Sequence, residues 1–222
     1  KQNSILRLQQ ALDTNAVSTS RLYIIMLLVV LASIIFWLYR LKRSQLRFMK
    51  LSSVDSLTGI LNHQTFMGEA DRALRSLEKR QAHACLVSID LDHFKHVNDT
   101  HGHAMGDAVL RRTVTVCQQQ LRGTDLFGRL GGEEFGIVLV DCTMSQGISI
   151  ADRIRVALEA SPVAEEGHVI SFSASVGLAC TYSAGYELSR LCREADAALY
   201  RAKRAGRNRV IAGAEDGDLA EA

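Results

Sequence analysis

Apolar residues fall into two regimes along the chain. Leu22 to Tyr39 is one uncharged, mostly apolar run bounded by Arg21 and Arg40. About eighteen uncharged residues nearly match the roughly 20 that cross a bilayer as a helix. Tyr23, Trp37 and Tyr39 stand where interfacial aromatics gather. A buried core helix this long would carry a polar face, and a cleaved signal peptide would end in small residues. A membrane-spanning helix is therefore expected over residues 21–40. From Asp55 onward, short apolar runs alternate with helical periodicity. Phe66, Ala70, Ala73, Leu74 and Leu77 mark one face of a helix over Asn62–Leu77. Ala84–Leu91 reads as a buried strand and Gly106–Leu121 as a helix. Leu126–Leu130 and Phe135–Val140 are two strands of a hairpin closed by glycines. A helix over Ser145–Ala160 stops at Pro162, a strand covers Val169–Ala179, a helix Glu187–Ala205 and a last strand Asn208–Ala212. The β-α-β-β-α-β order predicts an α/β domain of the α+β, ferredoxin-like palm type.

Charge gives the apolar run a direction. Arg40, Lys42, Arg43, Arg47 and Lys50 crowd its C-terminal flank, against Arg21 alone at the other end. The positive-inside rule then places everything after Tyr39 in the cytoplasm. Residues 1–20 become the extracytoplasmic tail of a missing sensor region, consistent with a chain that begins at Lys1. Residues 41–54 read as a juxtamembrane signalling helix. Leu38, Leu41, Gln45, Phe48 and Ser52 lie near heptad spacing, so a short coiled coil and a plain helix both fit. Residues 55–213 form the globular domain, and 214–222 an acidic, frayed tail. A hydrophobic share of 47% is globular, and a net charge of +2 gives no argument for nucleic acid as a partner. The five cysteines show no CxxC pair and read as reduced thiols in a core.

Two acidic sites end strands. Asp90 and Asp92 close the first buried strand, and Glu133-Glu134 sit at the hairpin tip. If the strands are neighbours, these carboxylates converge and suit Mg²⁺, which takes a few carboxylates plus substrate phosphates. Paired ions of this kind activate an attacking oxygen and neutralise a leaving pyrophosphate. Taken singly, each acidic pair reads better as solvated turn residues. Gly131 and Gly132 permit positive φ and a close approach to the backbone. Lys95 offers a point charge to phosphate. Asn98 and Asp107 offer the donor and acceptor that a guanine edge requires. His93, His96, His101 and His103 match no zinc spacing. Lys203 and Arg207, four apart at a helix end, could clamp phosphates from one face, though basic residues also suit a last helical turn.

Together these segments resemble the GGDEF family of bacterial diguanylate cyclases over Asp55 to Ala212. Asp55-Ser-Leu-Thr-Gly59-Ile-Leu-Asn62 is similar to its D-x-LTG-x-x-N opening, and Asp90 to Asp99 to D-x-D-x-FK-x-x-ND. Gly102 to Asp107 is similar to GH-x-x-GD, and Gly131-Gly132-Glu133-Glu134-Phe135 to the signature in its GGEEF form. The resemblance implies a nucleotide-cyclase or polymerase-like palm that condenses two GTP into cyclic di-GMP. It implies Mg²⁺, two per site with Mn²⁺ as a substitute, on Asp90, Glu133 and the Leu91 carbonyl. Glu133 or Glu134 would help deprotonate the 3′-hydroxyl while Lys95 stabilises phosphoryl charge. Asn98 and Asp107 would hold guanine beside His103, with Gly131 and Gly132 against the nucleotide and Lys203 and Arg207 on its β- and γ-phosphates. Arg122-Gly-Thr-Asp125 resembles an R-x-x-D product-inhibition site, completed by Arg153, at which cyclic di-GMP binds as inhibitor. A helix-end ion pair is the plain reading of the same residues. The implied active state is a homodimer, embedded in the bacterial inner membrane by a single pass. His63 and Leu130 depart from the family where arginine and an aromatic are frequent. An idle domain acting as a GTP or cyclic di-GMP receptor, and a purely structural dimerising module, are the alternatives. Idle members lose the acids or the glycines, and this chain keeps both.

Overall fold

A computed structural model describes residues 26–40, 53–165 and 167–213. They belong to two units that divide between Ser52 and Ser53. In the first unit the described part is one helix, α1 (residues 26–40). Its described residues cover about 22 Å at 1.5 Å rise per residue, against a bilayer hydrocarbon core of roughly 30 Å. Among the described residues, no helix is long and apolar enough to cross a membrane. The expected transmembrane helix over 21–40 is corrected on this finding. So are the single-pass, membrane-embedded state and the bacterial inner-membrane location that rested on it. The tail 1–20, the heptad positions beyond Leu38 up to Ser52 and the acidic end 214–222 lie outside the described residues.

The second unit runs β1 (Leu61–Asn62), α2 (His63–Lys79), β2 (Ala84–Leu91), α3 (Phe94–Gln120), β3 (Leu126–Arg129), β4 (Glu134–Val140), α4 (Met144–Glu159), β5 (Val163–Glu165), β6 (His168–Ile170), β7 (Ala174–Cys180), α5 (Thr181–Ala184), α6 (Leu188–Arg204) and β8 (Val210–Ala212). The main sheet has the order β1-β3-β4-β2-β7-β8. Its inner strands β3-β4-β2-β7 are antiparallel throughout. With α3 and α4 as crossovers, they are the predicted β-α-β-β-α-β unit. β1 and β8 add in parallel at the two margins.

Strand alternation sorts β2 between two layers. Cys85, Val87, Ile89 and Leu91 face α3 and α4, packing with Val109, Leu110, Ile154 and Leu158. Ala84 and Leu86 face α2 and α6, packing with Phe66, Leu74, Leu191 and Ala195. Asp90 follows Leu86 at the same parity, so it emerges on the α2/α6 side where the strand ends. Helix α6 lies directly on the backbone of β7, because a Cβ at Gly177 would collide with the Ala195 carbonyl and the Leu199 nitrogen. Local caps fix the helix starts. Asn62 accepts from the Thr65 N–H at 2.9 Å, and Thr143 with Gln146 forms a capping box on α4.

Two elements differ from expectation. The strand expected over Val169–Ala179 is two strands, since Ser173 turns its carbonyl to the Asp92 N–H at 2.9 Å. β6 then pairs with β5 in a separate small sheet. The helix expected from Gly106 is preceded by a second helical segment that starts at Phe94, the two meeting at a kink at Gly102 (φ 80, ψ 167).

Candidate active site at the strand ends

The end of β2 and the β3–β4 hairpin meet at one edge of the domain. Asp90 is the register partner of Glu134, and the Leu91 N–H donates to the Glu133 carbonyl at 3.3 Å. The carboxylates of Asp90, Glu133 and Glu134 gather there. Lys203, near the end of α6, brings its Nζ to 2.7 Å from Asp90 Oδ2, with the Asp90 side chain only 7% exposed. Burial pushes the Glu133 carboxyl above its ordinary range, and the charges of Asp90 and Glu134 push it further against a partial offset from Lys203. Three crowded carboxylates facing one ammonium are a hard-oxygen donor set short of positive charge, the chemistry that fits a divalent cation. Among the described residues, no three acidic, histidine or cysteine side chains form a metal cage of their own.

The hairpin is held from behind. Arg129 Nη2 donates to the Gly132 carbonyl at 2.7 Å, its Nε to the Gly131 carbonyl at 3.1 Å and its Nη1 to Asp55 Oδ1 at 3.1 Å. Burial works to raise the Asp55 pKa, but hydrogen bonds from Thr58 and Arg129 and the Arg129 charge outweigh it and hold the carboxyl low. Sequence reasoning gave Arg129 no role. The available sign was a lone basic residue just ahead of an acceptor-rich turn. Neither Gly131 nor Gly132 uses the positive φ that glycine permits. Gly131 instead makes room, since a Cβ there would lie 2.7 Å from Glu134 Oε2.

Asn98 and Asp107 are nine positions apart, on opposite faces of an unbroken helix at about 100° per residue. The break at Gly102 changes this: the Asn98 amide packs on Gly106, where a Cβ would collide with it, next to Asp107. Both are half-buried, whereas Lys95 and His103 in the same segment are exposed. Lys203 is helical, but Arg207 is not. It lies past the end of α6 in a left-handed turn of Gly206 (φ 111), Arg207 (φ 62) and Asn208 (φ 44). The shared helical face expected for Lys203 and Arg207 is thus corrected. Asp92 is not available as a second metal acid. Its carboxylate accepts from the Ser173 and Ser175 hydroxyls, each at 2.7 Å, and from the Asn208 N–H at 3.1 Å.

A separate corner carries Arg122, Asp125 and Arg153. Asp125 accepts from the Arg122 N–H at 2.8 Å and the Val140 N–H at 3.2 Å. Arg153 donates to the Gln120 carbonyl at 2.9 Å, so both arginines flank the end of α3. All five cysteines are free thiols and four are buried.

The profile described as "Diguanylate cyclase, GGDEF domain" matches residues 52–209. The chain is 37% identical over 169 residues to the probable diguanylate cyclase DgcE of Escherichia coli, covering 76% of this chain and 15% of that protein. It is 34% identical to the response regulator PleD of Caulobacter vibrioides, over 73% of this chain and 36% of PleD. It thus spans well under two thirds of these relatives. Among solved structures, the GGDEF domain of DgcB from Caulobacter crescentus in complex with c-di-GMP superposes with a TM-score of 0.68 at 33% identity, covering 72% of this chain and 95% of that one.

Proposed function

Because the chain belongs to the diguanylate cyclase GGDEF domain family, we propose that it condenses two GTP into one cyclic di-GMP and two pyrophosphates. Residues 55–213 form the catalytic domain. The carrying observation is the convergence of Asp90, Glu133, Glu134 and Lys203 at the strand ends, with the Asp90–Lys203 contact at 2.7 Å. The c-di-GMP complex of the related DgcB domain supports the product.

In this reading each nucleotide's 3′-oxygen attacks the α-phosphorus of the other. The bond from that phosphorus to the bridging oxygen breaks, and pyrophosphate leaves. Asp90, Glu133 and the Leu91 carbonyl would hold Mg²⁺ or Mn²⁺, two per site, and bound ions would supply acidification of the 3′-hydroxyl and neutralisation of the leaving group. Glu133 or Glu134 takes the hydroxyl proton. Asn98 and Asp107 read guanine from the fold at Gly102, with His103 alongside. Lys95 meets phosphoryl charge, and Lys203 turns from Asp90 to the β- and γ-phosphates together with Arg207. Gly131 and Gly132 leave the hairpin backbone open to the nucleotide. One domain offers one nucleotide site, so the working unit is a homodimer. Arg122, Asp125 and Arg153 bind the product as inhibitor.

The test is incubation of the chain with GTP and Mg²⁺ followed by chromatography for cyclic di-GMP. Turnover that disappears in Glu133→Ala supports the reading. A dimeric preparation that releases no product, or a Glu133→Ala variant as active as the parent, overturns it.

A further inference from the structure

The turn carrying Arg207 is conformationally costly. Arg207 and Asn208 are consecutive non-glycine residues at positive φ, a backbone region that L-residues enter only when something holds them there. Two anchors do so. From the sheet, Asp92 takes the Asn208 N–H at 3.1 Å while the hydroxyls of Ser173 and Ser175 fix the same carboxylate. From α4, Arg155 Nη1 donates to Asn208 Oδ1 at 3.0 Å, and Asn208 Nδ2 donates to Glu159 Oε1 at 2.8 Å. Arg155 is itself clamped by Asp152 at 2.8 Å and Glu159 at 3.0 Å, its side chain 16% exposed. Hydrogen bonds to Asp152 and Glu159 and their charges hold its guanidinium protonated. Asn208 thus has its backbone donor, side-chain acceptor and side-chain donor all engaged.

We propose that Arg155 and Glu159, acting through Asn208, are positioning residues that set Arg207 against the terminal phosphates of the nucleotide. This rests on the reading of Arg207 as a phosphate ligand and adds the device that fixes it. Neither residue belongs to the D-x-LTG-x-x-N, D-x-D-x-FK-x-x-ND, GH-x-x-GD or GGEEF motifs, and both sit on a helix separate from the hairpin. Their effect is confined to the phosphate end of the substrate, since Asn98 and Asp107 belong to another segment.

The experiment uses Asn208→Gly and Arg155→Gln in the whole chain. Asn208→Gly keeps the N–H to Asp92 and tolerates positive φ, so it removes only the tie to α4. Affinity is measured by calorimetry for GTP and for GMP, which lacks the terminal phosphates, and KM and kcat for GTP are measured alongside. Both variants should weaken GTP about tenfold, the scale of a small misplacement of a positioned group. GMP affinity should hold within about twofold, and KM should move more than kcat. In an Arg207→Ala background the loss should vanish, because the residue being positioned is gone. Equal losses for GTP and GMP, or a loss that persists in full beside Arg207→Ala, overturn the proposal. So does GTP affinity unchanged in both folded variants. A parent chain that binds no GTP defeats the underlying functional reading instead.

Discussion

Lys203→Met removes the ammonium that pairs with Asp90 and faces Glu133 while keeping an unbranched side chain. At an effective dielectric of about 20, a charge pair at 2.7 Å attracts by roughly 6 kcal/mol. Desolvation consumes much of that gain, and breaking a buried pair costs about 3–5 kcal/mol. Lys203 is 34% exposed against 7% for Asp90, so water screens part of the loss and about 2 kcal/mol is expected. For a unit of this size that corresponds to a fall of about 4–8 °C in Tm. Thermal and urea unfolding are compared at neutral pH with and without millimolar Mg²⁺. Mg²⁺ should stabilise the variant more than the parent, because the cation then supplies the charge the ammonium supplied. If the variant loses under about 0.5 kcal/mol, or Mg²⁺ stabilises both proteins equally, the carboxylates are not a site short of positive charge.

Gly177→Ala should lift α6 from β7 and cost about 3 kcal/mol, read by denaturation, with cyclase turnover falling as Lys203 leaves Asp90. The native Glu133 carboxyl binds its proton more tightly than in the unfolded chain. Its contribution is therefore favourable at low pH and lost as pH rises from the ordinary value of 4.5 toward the raised native one. Glu133→Gln should accordingly gain stability relative to the parent across that window, and parallel stability–pH curves would count against this. Arg122→Ala should relieve inhibition by added cyclic di-GMP without abolishing synthesis; unchanged inhibition at full activity would remove Arg122 from that site.

Much of this was legible in the chain because alternation and strand length are local properties. Ala84–Leu91 matches β2 residue for residue, since a fully buried strand has no polar face to blur its ends. The acids at positions 90 and 133 met as expected because β2 and β4 are neighbours. What stayed hidden depended on partners distant in sequence. Asp92 looks like a twin of Asp90, but serines more than 80 residues away bind its carboxylate. Arg129 works through backbone carbonyls, which no residue pattern displays. The helical segment from Phe94 to Gly102 stayed hidden because the Gly102 torsion separates it from the longer helix and leaves it too short to show its own periodicity.

The margins of the sheet limit how two copies can come together. β1 contributes two residues and β8 three, too little unpaired backbone to template a strand from another molecule. Copies of this domain are thereby kept from fusing their sheets side by side into a continuous ribbon. Contact between them falls to helices and loops, whose grip can loosen and reform. The proposed encounter, in which two nucleotide sites face each other and then part, is compatible with that kind of surface, whereas a shared sheet would make it permanent.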